Sequence, residues 1–385
     1  MKQKTQYKQT PIGLIPTDWE VKKLGEIIKL GNGKDYKHLG IGNVPVFGTG
    51  GIITYVDDFL FEGRTVGIGR KGSIDKPVLL KGKFWTVDTL FYIKEYYHTY
   101  VDFVYSLFQS INWMQYNEAT GLPSLSQTNI LNIKIPLPPL PEQQKIAEIL
   151  SNWDKAIQEV QLLIKKLEVR NKALAFSLLT GKKRVKGFEG KWEIKNFGKI
   201  ISRVTKKNEE LNDTVVTISA KRGFILQEDF FNKRVASDTL SGYYLLKKGQ
   251  FAYNKSYSNG YPMGVFKRLN DFDKAVVTTL YICFELKENI CSDFMVHYFD
   301  SGLMNNNLMK IAKEGGRAHG LLNIGIEDFM NLKITMPSLE EQTAIAAILN
   351  TAQQELKQYQ EKLKALQQQK KGLMQQLLTG KLRTI

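Results

Sequence analysis

Apolar residues recur at alternating steps of four and three along two long stretches of the chain. The two series are Ile146, Leu150, Trp153, Ile157, Val160, Ile164, Leu167, Asn171, Leu174 and Leu178, and Ile345, Leu349, Ala352, Leu356, Tyr359, Leu363, Leu366, Lys370, Leu373 and Leu377. Such spacing predicts two long helices that pair as a coiled coil. Asn171 and Lys370 take the same heptad position, where a polar residue is expected to fix the register. The alternative is two amphipathic helices packed on separate cores.

Both predicted helices have start and stop signals. Pro141 follows a proline cluster and suits a first helical turn, and Ser338 with Glu341 matches an S-x-x-E capping box. Gly181 and Gly380 each belong to a repeated LLTGK sequence and predict a left-handed helix end. The basic residues that follow are expected to face the negative helix end: Lys182, Lys183, Arg184, Lys381 and Arg383.

The repeat extends well beyond the helix ends. LNIKIPLPPL from Leu131 aligns with MNLKITMPSL from Met330, and the two segments are 199 positions apart, as are the two LLTGK sequences. Nearer the start of each copy the spacing is smaller: WEVKKLGEI from Trp19 aligns with WEIKNFGKI from Trp192, 173 positions later. The second copy is therefore longer by about 26 residues, and the extra residues fall inside it. Shared borders with different interiors indicate two related sites that read different things.

The order of the segments favours one topology. The first helix leaves the first copy and enters the second, so it holds the two apart. Because domain termini usually lie close together, the second helix is expected to return toward the first copy, antiparallel to the first helix. Two similar modules related by an approximate two-fold axis match the two-fold axis of B-DNA and could read two half-sites.

Length and charge agree with a multidomain protein that meets a polyanion. A chain of 385 residues exceeds the size of one core. The net charge is +16, and basic residues exceed acidic ones in every segment, which suits a body lying along DNA or RNA. A merely soluble basic protein is the alternative. With no apolar run long enough to span a membrane and no signal-peptide core, a cytoplasmic location is expected, and Cys283 and Cys291 are expected to be reduced.

The segment PLPPLPEQQKIAEIL together with the duplicated LLTGK resembles the central and distal conserved regions of the specificity (S) subunit of type I restriction-modification systems. The stretches GRKGSIDK with TVDTLFYI, and KKGQFAYNKS with TTLYICFEL, are similar to parts of the target recognition domains of that family. The resemblance covers essentially the whole chain.

The resemblance implies an α+β fold with two target recognition domains of mixed α/β type, separated by a long antiparallel two-helix coiled coil as a pseudo-two-fold repeat. The expected segments are residues 1–139 (target recognition domain 1), 140–185 (central conserved helix), 186–337 (target recognition domain 2) and 338–385 (distal conserved helix). It implies a bipartite asymmetric site in double-stranded DNA and two docked methyltransferase (M) subunits that modify adenine N6. Restriction (R) subunits are expected to join them. The chain itself is expected to bind no cofactor, no metal and no membrane.

In the first copy, the candidates for DNA contact lie around a glycine-rich loop between the apolar stretches TVGIG and PVLL. Arginine can pair with guanine edges, and lysine and serine can bind phosphate. The candidates are Arg64, Arg70, Lys71, Ser73 and Lys76, with Thr120 and Ser124 from the segment before the first helix. An exposed hairpin explains the first five about as well.

In the second copy, the equivalent candidates are expected in ISAKRG, FAYNKSYSNG and GGRAHGLLN. Asparagine can read adenine, and tyrosine can stack on a base. The candidates are Lys221, Arg222, Tyr253, Asn254, Lys255, Ser256, Arg317, His319 and Asn323. A polar turn is the alternative for the first six, and a loop histidine is the alternative for His319.

No catalytic motif is recognisable, so the chain is expected to read DNA and not to react by itself. The sequence contains no D/N-P-P-Y/F methylation motif, no P-loop and no G-x-S-x-G elbow. Two other functions stay open: a nucleotide-binding enzyme that uses the G-x-G-x-x-G stretch from Gly67 to Gly72, and a coiled-coil scaffold without DNA contact.

Overall fold

The structure is a computed structural model that describes residues 6–232, 236, 239–312 and 320–384. The chain divides into two compact units. Unit 1 combines residues 1–162 with residues 360–385, and unit 2 consists of residues 163–359. The boundary falls inside both long helices, so each unit contains one part of each helix.

Unit 1 is built around a mixed sheet of six strands. The strands of unit 1, including those outside this sheet, are β1 (Tyr7–Thr10), β2 (Gly13–Pro16), β3 (Glu20–Lys23), β4 (Ile28–Asn32), β5 (Ile41–Gly48), β6 (Gly51–Val56), β7 (Phe61–Gly69), β8 (Val78–Thr86), β9 (Leu90–Tyr96) and β10 (Lys134–Leu137). The sheet order is β4-β9-β7-β8-β5-β6, and β5 and β8 are parallel. The short helices are α1 (Leu24–Ile27), α2 (Val101–Ser110) and α3 (Gln127–Asn132), with a 3₁₀ turn at Trp113–Tyr116.

The core of unit 1 follows from the alternation of apolar residues in the central strands. Val66 and Ile68 of β7 and Phe91 and Ile93 of β9 are buried in one cluster with Phe103, Val104, Leu107 and Phe108 of α2. The apolar residues of α2 recur at helical spacing, so that one face of the helix packs on the sheet. The end of β7 is thereby held on a rigid base.

Unit 2 repeats the central four strands in the same order. Its strands are β11 (Glu193–Asn196), β12 (Ile201–Arg203), β13 (Val216–Ser219), β14 (Gly223–Leu226), β15 (Tyr244–Lys247), β16 (Phe251–Asn254), β17 (Val265–Arg268), β18 (Lys274–Val277), β19 (Ile282–Leu286) and β20 (Lys333–Met336). The sheet order β12-β19-β16-β17 matches β4-β9-β7-β8 of unit 1. Hairpin β13-β14 and the pair β15-β18 lie outside that sheet.

The helices of unit 2 cover an aromatic core. They are α5 (Phe197–Ile200), α6 (Gln227–Phe231), α7 (Ser292–Asp300), α8 (Asn305–Ile311) and α9 (Ile326–Met330). Phe266 stacks on Tyr253 and on Phe299, with ring centroids 4.3 Å apart in both pairs. Buried aromatic pairs of this kind stabilise a core beyond their area alone.

The two long helices are present, as the heptad pattern predicts. Helix α4 spans Leu140–Leu179 (40 residues) and helix α10 spans Leu339–Leu377 (39 residues), about 60 Å each. The buried heptad positions include Ile146, Leu150, Ile157, Val160, Ile164, Leu167, Leu178, Ile345, Leu349, Ala352, Leu356, Lys370 and Leu377. Gly181 and Gly380 follow the helices with φ of 71° and 72°, the left-handed helix end expected of LLTGK. Within the described ranges, no helix has the length and apolarity to cross a membrane.

A buried carboxylate in the first turn of α4 joins three parts of unit 1. The Glu142 side chain is 0% exposed and accepts a hydrogen bond from Trp19 Nε1 at 2.8 Å. Arg383 donates to both of its oxygens, at 2.8 and 2.9 Å, and to Asp18. Hydrogen bonds and charge from Glu142, and then from Asp18, raise the pKa of Arg383. This cluster fastens residues after α10 to the first turn of α4.

Unit 2 has the same cluster at the equivalent positions. Arg184 donates to both oxygens of Glu341, each at 2.7 Å, and Trp192 Nε1 donates to Glu341 at 3.1 Å. Two expectations therefore need correction. Arg184 and Arg383 bind the first turn of the other helix and not the end of their own. The Glu341 backbone N–H donates to Ser338 Oγ at 3.4 Å, but its carboxylate points to Arg184, so only half of the capping box forms.

The glutamine after each buried glutamate caps a second helix. Gln143 Oε1 accepts hydrogen bonds from Thr99 Oγ1 and from the backbone N–H of Tyr100, directly before α2. Gln342 Oε1 accepts one from the backbone N–H of Cys291, directly before α7. The EQ pair in each copy thus positions the helix that supports the central strands.

Arg383→Met should destabilise unit 1 strongly, because it leaves the Glu142 carboxylate buried without its cation. Breaking a buried pair costs about 3 to 5 kcal/mol. Urea denaturation followed by tryptophan fluorescence measures the loss in the free energy of unfolding. Arg184→Met should cost less, since the Arg184 side chain is 30% exposed and that of Arg383 only 14%. The exposed Lys381→Met is the control, and a loss there as large as in Arg383→Met would contradict the assignment.

Candidate nucleic-acid interface

In unit 1, the loop after the central strand β7 is held against the segment that precedes α3. The backbone N–H of Leu125 donates to Arg70 O at 2.9 Å, and that of Gly72 donates to Pro123 O at 2.9 Å. Lys71 and Ser124 form the bridge between them. The two sequence segments that hold the predicted candidates are therefore brought together.

This pairing forms a polar cleft at the end of β7. Its lining residues are Asn32, Arg70, Lys71, Phe91, Glu118, Ser124, Leu125, Ser126 and Gln127. The Arg70 guanidinium lies over the Phe91 ring, 5.8 Å from its centroid, and makes no ion pair with a residue that the structure describes. Arg70 is thus oriented by an aromatic surface, while its donors stay available for an anion or a base edge.

Other predicted residues of unit 1 lie elsewhere. Arg64 is six residues before Arg70 on β7, about 20 Å away along an extended strand, and forms an ion pair with Asp102 of α2. Its charge therefore serves the packing of α2. Lys76 lines a separate groove together with Gln109 and Lys370. Ser73 is half-buried in the loop after Gly72, and Thr120 is exposed in the turn that the Asn117 side chain organises.

One element beside this cleft was not predicted from the sequence. The turn of hairpin β5-β6 brings Thr49 next to Gly72, with Thr49 Oγ1 within 3.5 Å of where a Cβ would stand. Exposed apolar residues follow it on β6: Ile52, Ile53 and Tyr55. Nothing but a GTGG turn marks this hairpin in the sequence.

Unit 2 repeats the paired-loop arrangement with other side chains. The backbone N–H of Leu322 donates to Lys255 O at 3.0 Å, and that of Tyr257 donates to Gly320 O at 2.7 Å. Ser256 and Leu321 form the bridge between them. Lys255 therefore occupies the position of Arg70, and the exposed Asn323 lies next in the paired segment.

The position of Lys255 is electropositive. Burial, and then the nearby charge of Arg203, lower the pKa of Lys255. Arg203 ends β12, and its buried Nε has no hydrogen-bond partner among the described residues. Neither cation has a carboxylate partner in the part of the chain that the structure describes. Two adjacent cations without an acid favour binding of an anion, and Arg203 was not among the predicted residues.

Lys221 and Arg222 line a cleft of unit 2. It has a volume of about 610 Å³ and is lined by Thr217, Ile218, Ser219, Ala220, Lys221, Arg222, Phe230, Phe231, Asn254, Ser256, Tyr257, Ser258, Asn259, Tyr261, Val265 and Tyr281. Of these, Phe230, Phe231 and Tyr257 are large exposed aromatic side chains. The cleft thus combines two cations, an asparagine that can hydrogen-bond a base edge, and exposed aromatic rings on which a base can stack.

The structure changes the interpretation of Lys221 and Arg222. They form the turn of hairpin β13-β14, and the segment before β13 lies parallel to β18 through Val215 and Val276, as β5 lies parallel to β8. Their equivalents in unit 1 are therefore the turn residues near Thr49 and not the Arg70 loop. The equivalent turn is cationic in unit 2 and uncharged in unit 1.

Tyr253 does not fit a base contact. It is 0% exposed, its ring stacks on Phe266 and Phe329, and its hydroxyl donates to Met263 O at 2.7 Å. Burial raises the pKa of that hydroxyl. Tyr253 is a core residue: it lies with Phe251 on the face of β16 that packs in the aromatic core, while Ala252 is buried on the opposite face. Arg317 and His319 lie outside the described residues.

The stretch from Gly67 to Gly72 does not form a dinucleotide loop. Gly67 and Gly69 lie within β7, and after Gly72 the chain continues into β8 without a helix whose N-terminus could hold a phosphate. Within the described residues, no group of histidine, cysteine and acidic side chains could hold a metal ion. Cys283 and Cys291 are both free.

Comparisons with known proteins agree with the repeat. The family model described as the type I restriction modification DNA specificity domain matches residues 16–169 and 186–368. The type I restriction enzyme MjaVIII specificity subunit of Methanocaldococcus jannaschii is 26% identical over 420 aligned residues, covering 96% of this chain and 94% of that protein. The putative MjaX specificity subunit of the same organism is 28% identical over 439, covering 98% and 96%.

Solved structures show the same fold. The S subunit of a type I restriction-modification system from M. genitalium has a TM-score of 0.58 at 16% identity, covering 94% of this chain and 96% of that one. A chain from a study of complex assembly and conformational transition in the type I system has a TM-score of 0.57 at 13% identity, covering 96% and 99%. Since the family model matches both copies and most of the sequence, the chain belongs to the type I restriction modification DNA specificity family.

Proposed function

We propose that this chain is the DNA-reading specificity subunit of a type I restriction-modification system, without catalytic activity of its own. It recognises a bipartite asymmetric site and positions two adenine-N6 methyltransferase subunits, and restriction subunits, on it. The names of the full-length relatives support this role. The protein would act in the cytoplasm, where the DNA of bacteria and archaea lies.

One observation carries the proposal: the two units have the same strand order and the same paired loop, but different side chains at the equivalent positions. Arg70 and Lys71 stand where Lys255 and Ser256 stand in unit 2. Equal scaffolds place these side chains in equal positions, while their chemistry selects different bases or phosphates. The two units would therefore recognise two different half-sites.

Within this proposal, each unit has its own reading surface. In unit 1 it consists of Arg70, Lys71 and Ser124, flanked by Ser73, Thr120 and the hairpin turn at Thr49. In unit 2 it consists of Lys221, Arg222, Asn254, Lys255, Ser256 and Asn323, with Arg203 beside Lys255. Arg64 and Tyr253 are left out because they serve packing, and Lys76 because it lies in another groove.

We further propose that α4 and α10 form the antiparallel coiled coil that spaces the half-sites. In unit 1, Glu142 contacts Arg383 and the later Asp154 contacts the earlier Lys370. In unit 2, Arg170 contacts Glu355 and the later Arg184 contacts the earlier Glu341. Opposite chain directions within each unit support antiparallel pairing, and Asn171, whose side-chain amide donates to Ala352 O at 2.8 Å, would fix its register.

Methylome sequencing tests the proposal directly. In cells that carry this chain with its methyltransferase partner, single-molecule sequencing should show N6-methyladenine in a motif of two short specific parts separated by a nonspecific gap. Deleting the gene should remove that methylation. A continuous motif, or none, would contradict the proposal.

Alanine substitutions test the reading surfaces. In the assembled methyltransferase, Arg70→Ala and Lys255→Ala should each weaken DNA binding and lower the salt dependence by about one phosphate contact. Lys81→Ala, which removes an exposed cation from β8, is the control. Fluorescence anisotropy over a salt series gives the slope. A response independent of salt in the wild type would instead favour the scaffold interpretation.

Tyr253 and Asn254 provide a matched pair. Tyr253→Phe removes one buried hydrogen bond, so it should lower stability by about 1 kcal/mol while leaving the methylated motif unchanged. Asn254→Ala should alter affinity or the motif of one half-site only. Thermal denaturation and methylome sequencing measure the two effects, and a motif change in Tyr253→Phe would show that our assignment of this residue to the core is wrong.

Deleting one heptad from each long helix tests the spacer. Removal of residues 159–165 together with 359–365 retains the Asp154–Lys370 and Arg170–Glu355 contacts. It should shorten the coiled coil by about 10 Å and narrow the gap by about three base pairs. Deletion from one helix alone, which breaks the register, is the control and should abolish methylation. An unchanged gap in the double deletion would contradict the spacer.

A further inference from the structure

The long helices carry two ion pairs that differ between the units. In unit 1, Lys370 of α10 donates to Asp154 of α4 at 2.6 Å and to Gln109 of α2 at 3.1 Å. In unit 2, Arg170 of α4 donates to Glu355 of α10 at 2.5 Å. Lys370 is only 8% exposed, so its charge depends on these partners.

Neither ion pair is reproduced by the internal repeat. The position equivalent to Asp154 in the second copy is Gln353, and the position equivalent to Lys370 in the first copy is Asn171. The equivalents of Arg170 and Glu355 are Gln369 and Ala156. The first copy therefore contributes Asp154 and Arg170, and the second contributes their partners Lys370 and Glu355.

Most contacts at the helix ends do not distinguish the copies. Trp19, Glu142 and Arg184 of the first copy have Trp192, Glu341 and Arg383 as equivalents, and in both clusters the tryptophan and the arginine bind the buried glutamate. The exception is the partly exposed pair of Arg383 with Asp18, because the equivalent of Asp18 is Lys191. If two first copies paired, Arg184 of one could bind Glu142 of the other. The middle of the helices holds two further ion pairs that only unlike copies can form.

Pairing of like copies would lose both ion pairs. Two first copies would place Asp154 opposite Asn171 and Arg170 opposite Ala156. Two second copies would place the buried Lys370 opposite Gln353. There Asp300, at the end of α7 as Gln109 is near the end of α2, is already bound to Lys267 at 2.7 Å.

We propose that four charged residues determine which helices pair: Asp154, Arg170, Glu355 and Lys370. They favour pairing of the first-copy helix α4 with the second-copy helix α10 and disfavour pairing of α4 with another α4, or of α10 with another α10. They direct each chain to join its own two unlike modules, and they disfavour assemblies between chains in which like modules meet. This inference concerns chain assembly and does not depend on DNA reading.

A nicked full-length chain tests this pairing preference. A protease site inserted after the exposed Gly187 allows the folded protein to be cut between the copies. After unfolding in urea and refolding, native mass spectrometry should find only complexes of one first and one second fragment. The matched variant Asn171→Lys with Gln353→Asp makes each copy self-complementary at the buried pair. Adding Arg170→Gln, Glu355→Ala and Asp18→Asn removes the other ion pairs that only unlike copies form, and this variant should give all three pairings. A wild type that refolds to a statistical mixture, or a variant that stays wholly heterotypic, would overturn the proposal.

A second measurement uses the uncut chain and does not require the fragments to refold. Asp154→Lys places a cation beside Lys370 and should lower the melting temperature. Adding Lys370→Asp exchanges the charges and should restore most of it, whereas Asp154→Lys with the exposed Lys371→Asp should not. Failure of the exchanged pair to recover stability would show that the two side chains are not matched partners.

Discussion

The buried pairing of a glutamate with an arginine from the far end of the opposite helix is the constraint on which both units depend. Glu142 and Glu341 have almost no contact with water, and an ionised carboxylate in such a place needs a cation and hydrogen-bond donors. Arg383 and Arg184 supply the cation, and Trp19 and Trp192 supply a further donor. Each cluster joins the first strands of a unit, the first turn of one long helix and the residues after the other. The adjacent glutamine then positions the helix that supports the central sheet.

The long helices could be predicted from the sequence because their signal is local and periodic. The junctions could not, because the partner of Arg383 lies 241 residues away from it, and charge near a helix end suggested the simpler role of balancing the helix dipole. The ion pair of Arg64 could not be predicted for a similar reason, since Asp102 is 38 residues away and only the fold brings the two side chains together. For Tyr253 the sequence does contain a signal. Phe251 and Tyr253 lie two residues apart in a strand, and that period places both on the same face, which packs in the aromatic core.

The two units show how one scaffold presents different chemistry. Hydrogen bonds between backbone groups fix the paired loop in both, so the side chains at Arg70 and Lys255 can differ without disturbing the fold. The hairpin turn beside the loop differs more: it is a glycine-rich turn in unit 1 and carries Lys221 and Arg222 in unit 2. A sequence comparison by residue spacing missed this equivalence, because the added residues of the second copy shift the alignment. Strand order identified it.

The discontinuity of unit 1 has a consequence for how the protein is made. Unit 2 consists of one continuous stretch, residues 163–359, whereas unit 1 needs residues from beyond position 359 to complete its core. Chains emerge from the ribosome N-terminus first, so the module synthesised first is the one completed last. Until Leu377 and Arg383 are synthesised, the Glu142 carboxylate lacks its cation, and the part of α4 in unit 1 lacks the end of α10 that completes its core. A message cut short near its end would leave the early module, and not the late one, unfinished and exposed to quality control.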